Sequence, residues 1–103
     1  IVTLTSRAAE PVDLEAQAAD VIAFLNAKAG KRFPVRLRNG ELSKSAVMVL
    51  RLLRDGHAAD DIRSVVAMKC REWNGRERMR PYLRPKTLFG PENFEQYVGE
   101  LHA

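Results

Sequence analysis

A chain of 103 residues, 46% of them hydrophobic and 29% charged, has the size and composition to fold around a single core. One cysteine excludes an intrachain disulfide, that cysteine with two histidines gives no ligand set for structural zinc, and no apolar run approaches the ~18 residues of a membrane span. The net charge of +4 is mild but unevenly spread: residues 31–54 carry seven Lys or Arg against one acid, Glu41, and residues 69–86 carry seven against Glu72 and Glu77, with weakly acidic segments around them.

Residues 1–11, ending Ala8-Ala9-Glu10-Pro11, have no periodic apolar pattern and read as a linker tail, leaving residues 12–103 as one domain. The start at Ile1-Val2, without an initiator Met, is expected of a piece of a longer protein. A first helix is predicted from about Asp13, where Leu14, Ala18, Val21, Ile22, Leu25 and Ala29 form one stripe with Phe24 on its flank, and Gly30 ends it. Lys31 to Gly40 reads as an ordered loop. A second helix is predicted over about Leu42–Asp55, burying Leu42, Ala46, Val49, Leu50 and Leu53 and showing Lys44, Arg51 and Arg54 on another face.

After Gly56-His57, a third helix begins near Ala58 with Asp60 and Asp61 at its positive end, buries Ile62, Val65, Val66, Cys70 and Trp73, and stops at Asn74-Gly75. Residues 76–83 suggest a short helical turn, and Arg84-Pro85 an extended step. Pro91 opens a last helix that buries Phe94, Tyr97, Val98 and Leu101. The expected fold is therefore all-α: a small bundle of four main helices plus a short helical turn and an extended strap.

No convergent acids, nucleophile with a base, or phosphate-cradling glycine loop occurs at a usable spacing, so the expectation is a non-enzymatic protein without metal or cofactor. His57, beside Gly56, suits a turn or capping role better than catalysis, and Cys70 on a buried stripe suits an inert core thiol. Two helices joined through Asp55-Gly56-His57 outline a helix-turn-helix whose second helix would show Arg63, Ser64, Ala67 and Arg71, although many bundles use the same turn without touching DNA. Lys69 falls between Val65 and Trp73 on the inward side. A bare ammonium there is costly, so either an acidic partner, for which the last helix is one source, meets a snorkelling stem or the lysine guards a groove beside Trp73.

Both basic segments carry aromatics, Phe33 in the first and Trp73 and Tyr82 in the second. Cations neutralise phosphates and rings stack on bases, which is what a sequence-tolerant nucleic-acid surface needs. The residues expected to form it are Arg36, Arg38, Lys44, Arg51, Arg76, Arg78, Arg80, Arg84 and Lys86. A solvated basic face with no partner is the competing reading.

The string RPYLRPKTLFG at 80–90, followed by NFEQYV, narrows the choice. With Val21-Ile22, Leu25-Asn26, Ala29-Gly30-Lys31, Phe33, Leu52, Asp55-Gly56, Asp61-Ile62, Val65-Val66, Lys69, Trp73 and Met79 in order before it, and Phe94-Glu95 and Tyr97 after, it resembles the conserved C-terminal domain of phage replication proteins. That family is related in general organisation to the DnaD-like primosome proteins. The resemblance covers roughly residues 21–98. It implies a helical module that follows a separate N-terminal domain in replisome-organising proteins of the bacterial host's cytoplasm.

By that resemblance the partners are DNA, single-stranded ahead of duplex, and the replicative helicase or its loader, with no membrane and with room for an oligomer in the full-length protein. One departure matters. Where the DnaD proteins place an aromatic and an aliphatic residue at the eighth and fourth positions before a helix-ending Trp, this chain has Val65 and Lys69, so that motif's DNA binding is not carried over. In the YLRPKTLFG segment Leu83, Leu88 and Phe89 are expected as anchors, leaving Arg84, Lys86 and Arg80 upstream as heads, Arg84 with the alternatives of capping a helix or pairing with Glu92 or Glu95. The alternative function is a module that docks on the helicase or loader through exposed apolar residues such as Met48, Leu52 or Met68.

Overall fold

A computed structural model describes residues 10–102, with side chains from Leu14 onward. The longest element, α1, runs Glu10–Ala29 and so begins three residues before the expected Asp13; the rest of the expected tail lies outside the described residues. Ala18, Val21, Ile22, Leu25 and Ala29 are buried along it, because their 3- and 4-residue spacing keeps them on one side of a 3.6-residue turn. Gly30 ends α1 at φ 68°, and the Lys31 N–H reaches back to the Asn26 carbonyl at 3.0 Å, the backbone closure that a left-handed residue permits. No described helix is long and apolar enough to cross a membrane.

The loop that follows is fastened at three points. Asn26 holds Phe33 reciprocally, its Nδ2 donating to the Phe33 carbonyl (3.0 Å) and its Oδ1 accepting from the Phe33 N–H (2.8 Å). Arg36 and Leu42 form an antiparallel bridge around a tight Leu37–Gly40 turn, the one β-type pairing among the described residues. Ser43 is buried, donates to the Pro34 carbonyl at 2.6 Å and accepts from the Ala46 N–H at 3.2 Å, which caps α2, Lys44–Arg54.

From α2 the chain turns at Gly56 (φ 106°), where the His57 N–H bonds the Leu52 carbonyl and the Gly56 N–H that of Leu53. His57 then lays its ring edge-on against Phe94, 4.8 Å between centroids, a structural role in the turn. Helix α3, Ala59–Trp73, buries Ile62, Val65, Val66, Cys70 and Trp73 as its spacing predicts. Helix α1 is the centre of the bundle, with α2 and α3 packed against it, and α5 packs on α3.

After α3 come a 3-10 turn, Arg80–Tyr82, a one-turn helix α4, Pro85–Leu88, and α5, Pro91–Leu101. The all-α bundle expected from the sequence is the fold observed. The strap differs in one respect: only Arg84 (φ −150°, ψ 154°) is extended, and the chain then curls into α4. Pro85 accounts for both, since its ring drives the preceding residue out of the α region while its own φ suits the first residue of a helix. Leu83, Leu88 and Phe89 are buried anchors, as is Phe94, whose full burial is worth about 1.5–3 kcal/mol.

Candidate nucleic-acid interface

The structure sorts the nine predicted cations into three groups. Arg36 and Arg38 lie on the turn between α1 and α2, where Arg36 is held by the Gly40 carbonyl (2.8 Å) and by Glu15 on α1 (3.1 Å). Arg76, Arg78 and Arg80 follow α3. The first two are exposed, whereas Arg80 turns inward and donates to the Ala29 carbonyl (3.3 Å), the Asn74 carbonyl (3.3 Å) and the Asn74 side chain. Its guanidinium ties the C-terminal ends of α1 and α3 together, and its own carbonyl accepts from Lys31 Nζ at 3.3 Å. Arg80 is a structural clamp and not one of the free heads expected from the sequence.

The third group converges. Helix α4 packs against α2, so Lys44, at the first turn of α2, and Arg84 and Lys86, at the start of α4, line one hollow of about 360 Å³. Its apolar walls are Phe33, Met48 and Pro85, with Ser45 beside Lys44, and no acidic residue lines it. Among the described residues, none of the three cations makes an ion pair. Arg84 is oriented by its own turn: Nε donates to Thr87 Oγ1 at 3.1 Å, and the guanidinium lies 5.5 Å from the centroid of the Tyr82 ring, which is 43% exposed. Thus Arg84 pairs with neither Glu92 nor Glu95. Arg51 extends the line of Lys44 and Met48 along α2, at i, i+4 and i+7.

Trp73 and Lys69 belong to a different kind of site. Trp73 is buried, with Tyr97 edge-on at 6.1 Å. Lys69 is 4% exposed, and its ammonium sits 3.0 Å from Glu100 on α5, 3.2 Å from Glu72, and 4.4 and 5.2 Å from the ring centroids of Tyr97 and Trp73. Burial works to lower its pKa, but the hydrogen bonds and charges of Glu100 and Glu72 outweigh it, and the net shift is upward from the ordinary lysine value. The acidic partner on the last helix is the one the sequence suggested, and the cluster fastens α5 to α3. Burial also pushes up the Cys70 thiol, against the opposing charges of Lys28 and Arg80, which disfavours the reactive thiolate.

A family model described as a conserved phage C-terminus matches residues 21–99. This chain belongs to that family of conserved phage C-terminal domains. The match spans every residue of the α2–α4 hollow and Lys69, and ends one residue before Glu100. No curated protein and no solved structure shows significant similarity to the phage domain.

On the outward face of α3, Ser64 and Arg71 are exposed and Arg63 pairs with Asp60 one turn earlier on the same helix. Leu52, expected as an exposed docking residue, is 2% exposed, because one turn beyond Met48 it joins the buried apolar core; Met48 and Met68 are half-buried. The exposed large apolar side chains are Leu37, Val47 and Tyr82. The sequence reading gave Met48 and Pro85 no part in the cationic site, though the four-residue spacing of Lys44 and Met48 already put those two on one face.

Proposed function

We propose that this phage C-terminal domain is a non-catalytic module that binds nucleic acid, single-stranded DNA ahead of duplex, within a protein that starts phage or prophage DNA replication and helps assemble the replisome. The observation that carries the reading is the hollow between α2 and α4, where Lys44, Arg84 and Lys86 gather around apolar walls with no acidic residue among them. Two other cations are answered by carboxylates, Lys69 by Glu72 and Glu100 and Arg36 by Glu15. Three like charges held together without acids favour a polyanion, and the exposed Tyr82 ring under Arg84 adds a surface on which an unpaired base can stack. Replication as the setting rests on the residue-by-residue resemblance of 80–90 and its flanks to the C-terminal domain of phage replication proteins.

The test is fluorescence-anisotropy titration of the chain with labelled single-stranded and duplex DNA at two salt concentrations, repeated with Lys44, Arg84 and Lys86 changed to Ala. Binding that weakens with salt and with these substitutions supports the reading; no binding at low salt rejects it. The second reading, docking on the replicative helicase or its loader, is favoured by the exposure of Leu37 (48%) and Val47 (38%) beside the start of α2. Apolar docking there responds little to salt and is lost in a Leu37→Ser, Val47→Ser variant.

A further inference from the structure

The hollow has more apolar wall than phosphate binding requires. A phosphate needs only Lys44, Arg84 and Lys86, yet Phe33, Met48 and Pro85, an aromatic, a thioether and a pyrrolidine side chain, also line the hollow. The molecule also fixes this wall: Phe33 is held at both backbone groups by Asn26, and Pro85 is buried at the first position of α4. At about 360 Å³ the hollow sits at the lower end of the ~300–1,000 Å³ range of ligand pockets, with room for one planar ring system but not for a paired duplex. An apolar seat rimmed by cations and free of acids matches one chemical pattern closely, a flat aromatic base attached to a chain of phosphates.

We infer that single-stranded nucleic acid binds this domain by seating one unpaired base in the hollow between α2 and α4, the flanking phosphates being held by Lys44 from α2 and by Arg84 and Lys86 from α4. The inference rests on the nucleic-acid reading above and adds to it the substrate form and the mode of recognition. A base within a duplex has both faces stacked and its edge paired, so it cannot enter; an unpaired base can, against Phe33 and the adaptable Met48. Tyr82, exposed and with the Arg84 guanidinium 5.5 Å from its ring centroid, is a second aromatic surface tied to the rim of the hollow through Arg84. Preference for single strands then follows from the shape of the site, while affinity still depends on salt through the rim.

The test uses the unmodified chain with two labelled strands of equal length, an oligothymidylate and one in which every base is replaced by an abasic deoxyribose. Both carry the same phosphates. The expected result is the same salt dependence for both, with affinity for the abasic strand lower by about 5-fold or more, the effect of losing a stacked base. Equal affinities overturn base seating and leave a phosphate-binding surface standing; failure of both strands to bind overturns the nucleic-acid reading itself. A second measurement locates the base: a strand carrying 2-aminopurine should change its fluorescence on binding, and Phe33→Leu, which keeps apolar bulk without a ring, should reduce that change by half or more. An undiminished change in folded Phe33→Leu protein, checked by circular dichroism, and equally in Met48→Leu, overturns seating in this hollow.

Discussion

Lys69 and the trio Lys44, Arg84 and Lys86 are cations that the same bundle treats in opposite ways. Lys69 is turned into the α3–α5 contact, where Glu72 and Glu100 neutralise it and Trp73 and Tyr97 flank it. The trio is turned outward around the α2–α4 hollow, where no carboxylate answers it. A charge satisfied inside the fold serves stability; a charge left unsatisfied at the rim of an apolar hollow is available to a ligand. Both regions combine lysine with aromatic rings, so composition alone does not separate them. The position of the acids does.

The comparison breaks most directly at Lys69. Lys69→Ala leaves two carboxylates facing each other over an emptied stem site, and the expected loss of folding stability is about 2–3 kcal/mol, below the usual cost of breaking a buried pair because Glu72 and Glu100 are each more than 40% exposed. Lys69→Met keeps the stem and should lose only about 1 kcal/mol. Urea unfolding followed by circular dichroism reads both. DNA affinity measured where each variant is folded should stay at the wild-type level, and a parallel fall in affinity would show that the two regions are not separable.

The reverse variant, with Lys44, Arg84 and Lys86 all changed to Ala, should leave the unfolding free energy within about 0.5 kcal/mol of wild type, because exposed cations without ion-pair partners add little to folding. Single-stranded DNA affinity should fall about 10- to 100-fold at low salt, and the slope of log affinity against log salt should decrease by roughly 2, as expected for three lost phosphate contacts at about 0.7 each. A large loss of stability with unchanged DNA binding would invert the assignment. Arg80→Ala provides a control between these extremes. Removing the clamp on Ala29 and Asn74 should cost about 1–2 kcal/mol of stability while leaving the salt slope unchanged.

Arg80 and Arg84 also show how far the sequence could be read. They are four residues apart in one basic string, yet Arg80 folds back onto the ends of α1 and α3 while Arg84 faces the hollow. Charge runs reveal that cations are present but not which carbonyls lie within their reach. The helices were legible because Ala18, Val21, Ile22, Leu25 and Ala29, and likewise Ile62, Val65, Val66, Cys70 and Trp73, repeat at helical spacing; the same wheel placed Lys69 inside and called for an acid from the last helix. Leu52 was misread because the core it joins includes Leu83, Leu88 and Phe89, more than thirty residues downstream, and local periodicity carries no record of that packing. The hollow was hidden for the same reason, since Lys44 and Lys86 meet only when α4 docks on α2.

The smallest expected effect probes the balance within the Lys69 cluster. Because the folded-state pKa of Lys69 is raised, its contribution to stability is fully present below the ordinary lysine pKa and is lost as pH rises through the higher folded value. Glu100→Gln removes one of the two charges that raise it and keeps a hydrogen-bond acceptor, so the cost at neutral pH should be about 0.5–1 kcal/mol. Its larger signature is in the pH profile. With less opposing desolvation, the folded pKa moves down toward the ordinary lysine value, and the alkaline loss of stability should begin at lower pH and be smaller in total than in wild type. Urea midpoints from neutral to strongly alkaline pH measure this, and running both proteins in a Tyr97→Phe background removes the phenol whose ring lies 4.4 Å from the ammonium. Identical alkaline profiles with and without the Glu100 charge would mean that Glu72 alone holds Lys69 protonated, and α5 would then be fastened by its apolar face, Phe94 above all, with the ion pair contributing nothing to the contact.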